Sequence, residues 1–323
     1  MSSYRVAINV EWTSKCNASC VMCPREAIPQ PALMPVETYR RAVERLRPDA
    51  VFRAVIAGYG EPTTHPRFDD LIEITRGAPV PVDMVTNGQL LDERRLRRLD
   101  GTLNALIVSF SSVVPEVYER VHVNLDHARV MDNIVTAQRV LRRTRLAISL
   151  TPLSSCLDTL PRTIEWLRAQ GVDLLTMSPT LYDRAGAWGA QDAASARLRG
   201  IIRRYGLRSQ ELDFIPSITD IARQWRANRH RCIPRNTDLA IAADGTYQYC
   251  FNDIRHRHAI GHVATMSVRE ALTVRERKEE DPCLCADCGL RGRYRARELL
   301  AVARHYLQQR AAQTPQPSLS AGG

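Results

Sequence analysis

Three thiols lie within eight residues near the start of the chain, Cys16, Cys20 and Cys23, in the run Glu11-Trp12-Thr13-Ser14-Lys15-Cys16-Asn17-Ala18-Ser19-Cys20-Val21-Met22-Cys23. Thiolates are soft ligands suited to iron–sulfur clusters and to zinc, and four ligands ordinarily close such a site. Three from one loop leave one position open. In a four-iron cluster that position is an iron available to a substrate or cofactor; in a zinc site it is filled by a distant cysteine or histidine.

A second set follows. Cys232 and Cys250 flank an Asp244-Gly245 turn, and Cys285 and Cys288 return in Cys-x2-Cys spacing. Four thiolates close a second metal site, for which zinc and iron–sulfur fit equally. Cys283 competes with Cys285 for one position, and the spacing to Cys288 favours Cys285. Cys283 and Cys156 are left as inert buried thiols. Nine cysteines are an odd number for a disulfide framework, so the clusters read as metal ligands.

The elements that must hold these thiols are legible from periodicity. Residues 6–11, 54–57, 80–86, 105–110, 146–150 and 174–177 are short β-branched runs, and amphipathic stretches at 35–46, 91–99, 125–142 and 159–170 alternate with them. That alternation predicts an α/β chain of six β/α units around a parallel sheet, with the first cysteine loop at the C-terminal end of its first strand, the edge that carries chemistry in such folds. Gly171 stands where a helix C-cap glycine belongs. Further on, helices are predicted over 192–205, 217–226 (Ser217 as N-cap) and 294–309, and a hairpin over 239–249 turning at Asp244-Gly245.

The 323 residues are 44% apolar and 25% charged, which excludes a largely disordered chain. No apolar run of ~18 residues predicts a membrane span, and no leader pattern is read at the start; the expectation is a cytoplasmic protein with no membrane partner. The net charge is +10, with lysine only at Lys15 and Lys278. The arginines are scattered and lack interleaved aromatics, so no nucleic-acid partner is expected.

Cys-x3-Cys-x2-Cys directly after the first strand, with hydrophobic Met22 before the last cysteine, resembles the signature of the radical S-adenosylmethionine (radical SAM) enzymes. The resemblance implies a [4Fe-4S] cluster on Cys16, Cys20 and Cys23 whose open iron chelates the amino and carboxylate groups of S-adenosylmethionine, and a 5′-deoxyadenosyl radical formed by reductive cleavage. Gly58-Tyr59-Gly60-Glu61-Pro62 resembles the family's glycine-rich motif beside the cofactor amine, although Tyr59 interrupts the usual paired glycines. Thr86-Asn87-Gly88 ends the third strand as is common in the family. Ser109 and Ser149 resemble positions lining the cofactor's ribose and carboxylate. Tyr59, Gly60, Glu61, Ser109 and Ser149 are thus the expected cofactor-binding residues.

Cys232-x12-Gly245-x4-Cys250 followed by Cys285-x2-Cys288 resembles the short "twitch" form of the auxiliary-cluster domain, which implies a second [4Fe-4S] cluster. The implied fold is a partial (β/α)6 TIM-like barrel over 1–186, a helical connector over 187–231, a small C-terminal α+β auxiliary-cluster domain over 232–293, a helix over 294–312 and a disordered tail over 313–323. Family members of this build resemble those that oxidise or epimerise sugars and aminocyclitols in aminoglycoside antibiotic pathways. The resemblance implies a quenching cysteine near the substrate in such epimerases; after the sixth strand this sequence has Asp183, the candidate base for a dehydrogenase oxidising a secondary alcohol to a ketone, with an external electron donor such as flavodoxin or ferredoxin. The alternatives are an epimerase using Cys156 or Cys283 as hydrogen donor, a peptide-modifying enzyme, and a non-catalytic zinc-binding interaction protein. Glu11, His65 and Asp253 are further residues that could reach the cavity, although His65 before Pro66 reads more simply as a turn residue.

Overall fold

The computed structural model describes residues 4–150, 153–177, 192–209, 217, 219–220, 222–223, 226, 238–278 and 282–285. The predicted helix over 294–309, the tail from 313, Asp183, Cys232 and Cys288 lie outside them.

Seven parallel strands run in chain order, β1 (Val6–Val10), β2 (Val51–Ile56), β3 (Val82–Thr86), β4 (Ala105–Phe110), β5 (Arg145–Leu150), β6 (Leu175–Met177) and β7 (Arg208–Ser209). The helices between them are α1 (Val36–Glu44), α2 (Phe68–Arg76), α3 (Glu93–Leu99), α4 (Pro115–Val121), α5 (His127–Val140), α6 (Leu160–Ala169) and α7 (Asp192–Tyr205). β-branched and leucine side chains dominate the strands because both faces are covered, and Val6, Ile8, Leu106, Val108, Ile148 and Leu150 have no more than trace exposure. All six predicted strands are present, with a two-residue seventh beyond them. The chain is a mixed α/β fold built on a largely parallel sheet.

The predicted hairpin forms as β8 (Asp238–Ile241) and β9 (Thr246–Gln248), and Gly245 adopts φ +91° at its turn. β8 pairs parallel with β1, in the register Ile8↔Leu239 and Val10↔Ile241, so the sheet continues unbroken into the hairpin. All four β8 residues are buried, which an exposed edge strand could not accommodate. β10 (Ala259–His262) completes a ten-stranded sheet ordered β10-β9-β8-β1-β2-β3-β4-β5-β6-β7.

Caps set the helix boundaries. Gly171 takes φ +79° just past α6, as its position predicts. Ser217 accepts from the Asp220 amide at 3.1 Å, the expected N-cap bond. α8 (Val268–Arg277), which periodicity did not reveal, starts on a capping box: Ser267 Oγ accepts from the Glu270 amide, and Glu270 Oε2 accepts from the Ser267 amide at 2.7 Å. Ser267→Ala is expected to destabilise the chain by about 1 kcal/mol in urea titrations, with amide exchange in α8 accelerating before the rest of the sheet.

Candidate metal centre

β1 delivers Trp12 into the core immediately before the cysteine loop. The indole is buried and meets Tyr39 and Phe68 edge-on, with ring centroids 5.2 and 6.0 Å away, contacts worth roughly 0.5–1.5 kcal/mol each beyond burial. This anchor holds the start of the loop. Its far limb is fixed by backbone bonds from Ser19 N to Val123 O (2.9 Å) and Val21 N to Val121 O (3.0 Å), and the Asn87 side-chain amide donates to Asn17 Oδ1 at 2.8 Å. The loop is therefore tied to β1, to the end of β3 and to the end of α4.

The glycine-rich segment after β2 docks directly on this loop. A side chain at Gly60 would bring Cβ within 2.1 Å of the Thr13 carbonyl oxygen and 2.5 Å of that of Lys15; at Gly58 it would strike Glu11 at 2.5 Å. The glycines are needed for close approach rather than for unusual backbone angles. The Glu61 amide donates to Lys15 O at 2.9 Å, and Glu11 Oε1 accepts from the Tyr59 amide at 2.7 Å. The carboxylate of Glu61 accepts from Thr63 N (3.0 Å), Thr63 Oγ1 (2.6 Å), Thr86 Oγ1 (2.7 Å) and Asn87 N (2.7 Å), lacing the β2 and β3 strand ends together. It is 3% exposed, and burial pushes its carboxyl pKa up against the pull of those donors.

These segments line an open cleft at the C-terminal edge of the sheet. Cys16, Cys20, Cys23, Met22, Tyr59, Gly60, Glu61, Thr86, Asn87 and Ser109 all line it, so most of the residues named from sequence converge there. Ser149 pairs in register with Ser109 on the neighbouring strand and is half-buried, but it does not line the cleft. Cys250 and Cys285 are half-buried and in no disulfide. The Tyr59 hydroxyl donates to Phe251 O at 2.6 Å, joining the cleft to the residue after Cys250.

Three residues expected to be able to reach the cavity are used elsewhere. Glu11 is buried beneath the glycine-rich segment. His65 accepts the Arg67 amide at 3.1 Å and sits 3.1 Å from Met34 O, as a turn residue does. Asp253 accepts the amides of Arg257 and His258, at 3.2 and 2.8 Å. Cys156 is fully buried, does not line the cleft, and its thiol pKa is pushed up by burial.

His122 went unnoticed in the sequence. It follows α4, lines the cleft, is 1% exposed, and places Nδ1 3.4 Å from Cys20 Sγ. Burial pushes its pKa down to about 4. The available signal was Pro115 with Glu116 in the next position, a helix start whose end delivers His122.

The donor set fits an iron–sulfur cluster. The three thiols are in no disulfide and are partly exposed, and Cys16 Sγ accepts the Ala18 amide at 3.4 Å, an N–H bond that favours a thiolate. Among the described residues no three His, Cys, Asp or Glu side chains converge closely enough to hold a single metal ion. A cluster asks each thiolate to reach its own iron instead.

A parallel β/α sheet with three thiols around a cleft at its C-terminal edge is the frame of an iron–sulfur enzyme. The family model of the Radical SAM superfamily matches residues 10–167, and the chain carries the core of that superfamily. The match implies S-adenosylmethionine and a [4Fe-4S] cluster as cofactors. A probable GTP 3′,8-cyclase of Methanococcus maripaludis is 25% identical over 187 residues, 55% of this chain and 61% of the relative. The alignments span between 33% and 61% of the curated relatives. Streptococcus suis SuiB bound to precursor peptide SuiA has a TM-score of 0.68 at 13% identity, covering 89% of this chain and 70% of SuiB. BtrN in complex with AdoMet and 2-DOIA has a TM-score of 0.50 at 17% identity, covering 90% and 93%. No described helix is long and apolar enough to cross a membrane.

Proposed function

We propose that the chain is a radical SAM dehydrogenase that oxidises a secondary alcohol of a sugar or aminocyclitol to a ketone. Cys16, Cys20 and Cys23 hold the first cluster, and Cys232, Cys250, Cys285 and Cys288 hold a second. The observation that carries the reading is the hydrogen bond from Tyr59, in the cofactor segment, to Phe251, beside Cys250. It draws one thiol of the second set toward the cleft where substrate would react. When bound, S-adenosylmethionine and the first cluster supply a one-electron acceptor for the hydrogen atom of the carbinol carbon. Asp183 takes the hydroxyl proton. A [4Fe-4S] cluster held by the second thiolate set would accept the remaining electron, so that two electrons and two protons are accounted for, and an external flavodoxin or ferredoxin would supply the electron the first cluster needs.

BtrN, solved with 2-DOIA, supports a small-molecule substrate at near full-length coverage. SuiB, solved with its precursor peptide, favours a second reading, peptide modification. The fully buried Cys156 supplies no obvious hydrogen donor for an epimerase.

Anaerobically reconstituted protein is expected to hold about eight irons per chain, four per cluster. With S-adenosylmethionine, reductant and an aminocyclitol panel in deuterated water, it should yield 5′-deoxyadenosine and a ketone in equal amounts, with no new carbon-bound deuterium. An epimeric alcohol carrying one deuterium would overturn the dehydrogenase reading, and zinc without iron would overturn the enzyme.

A further inference from the structure

Of the residues around the cleft, His122 is the one whose placement the strand-end motifs leave unexplained. It comes from the end of α4, 102 positions from Cys20, yet its Nδ1 lies 3.4 Å from that sulfur while Nε2, also buried, has no hydrogen-bond partner. The ring is held from below: its centroid lies 4.6 Å from that of Tyr118, and the His122 amide donates to Tyr118 O at 2.7 Å. Val121 and Val123, on either side of it, bond the cysteine loop through the Val21 and Ser19 amides. The segment that carries the imidazole is thus the same one that holds the loop, and the ring has little freedom to move away from the sulfur.

We propose that His122 is a positioning residue for the cluster, donating Nδ1–H to the Cys20 thiolate and thereby raising the ease with which the cluster is reduced. This rests on the assignment of Cys16, Cys20 and Cys23 as cluster ligands. An iron-bound thiolate carries no proton, so the hydrogen between the two atoms belongs to Nδ1. Donors to cluster sulfurs stabilise the more negative, reduced state, and hydrogen bonding is among the features that set cluster potentials. Cys16 has a backbone donor in the Ala18 amide; His122 supplies the counterpart for Cys20 from a side chain.

The test is an EPR-monitored redox titration of reconstituted protein, following the cluster whose signal changes when S-adenosylmethionine is added. His122→Phe keeps an aromatic ring but removes the donor. It should make reduction about tenfold less favourable, about 59 mV lower for a one-electron couple. His122→Asn places an amide N–H near the position of Nδ1 and should recover most of that shift. A His122→Phe protein with full iron and an unchanged midpoint overturns the proposal. Should His122→Phe fail to hold its cluster, wild-type protein labelled with 15N-histidine decides instead: a weak nitrogen coupling to the reduced cluster supports the bond, and its absence overturns it. Wild-type protein that takes up no iron would remove the underlying ligand assignment, an outcome distinct from either.

Discussion

Replacing Cys16, Cys20 and Cys23 by alanine is expected to remove about four irons per chain and to abolish reductive cleavage of S-adenosylmethionine, while the protein still folds. The three thiols are partly exposed on a loop, so their loss costs little apolar burial. The anchors of that loop are other groups: buried Trp12 and Ala18, the Asn17–Asn87 bond, and the backbone bonds to residues 121 and 123. Circular dichroism and the urea midpoint should therefore stay close to wild type. Cys250→Ala is the matching control, expected to lose the other four irons while leaving cleavage of the cofactor measurable. A triple variant retaining all of its iron would refute the assignment of the first cluster.

Gly60→Ala should be the most damaging single exchange of one small residue for another. Its new methyl would lie 2.1 Å from the Thr13 carbonyl oxygen and 2.5 Å from that of Lys15. Both obstacles are backbone, so no rotamer change relieves them. The glycine-rich segment must lift from the cysteine loop, which breaks the bond from the Glu61 amide to Lys15 and disturbs the four donors gathered on the Glu61 carboxylate. Overpacking of this kind costs about 3 kcal/mol or more. The urea midpoint and iron incorporation should fall together. Gly200→Ala is the contrast: nothing lies within 4 Å of a Cβ there, in the middle of α7, and the exchange should stabilise the helix by up to about 1 kcal/mol. Equal effects at the two glycines would show that close docking at Gly60 is unimportant.

The cysteine triplet was readable because its spacing is local and its ligand chemistry narrow. The strand-end residues Tyr59, Gly60, Glu61 and Ser109 were named through the family resemblance, and they line one cleft because β/α alternation brings successive strand ends to one edge. The reason for the glycines was not readable: it depends on Thr13 and Lys15 carbonyls across a chain crossing. His122 was missed because its contact with Cys20 is a matter of tertiary placement. The helix that delivers it is only seven residues long, too short to build a clear period. α8 escaped the same way, although Ser267 and Glu270 spell out its start. The placement of β8 beside β1 has no local signature at all. A strand buried on both faces shows where it needs neighbours, not which ones.

That placement has a consequence for how the protein is made. Ile8, on the strand that leads into the cysteine loop, takes one sheet partner, Ala54, from close by in the chain and the other, Leu239, from far downstream. At translation rates of about 5–20 residues per second the interval is roughly ten to forty seconds. Throughout it the strand that launches the cysteine loop is a sheet edge with unpaired amides and carbonyls, open to whatever chain or chaperone meets it first. The ribosome has to release more than two hundred further residues before the strand that leads into the cysteine loop is closed on both sides, so the sheet around that loop is completed long after its three thiols have been made.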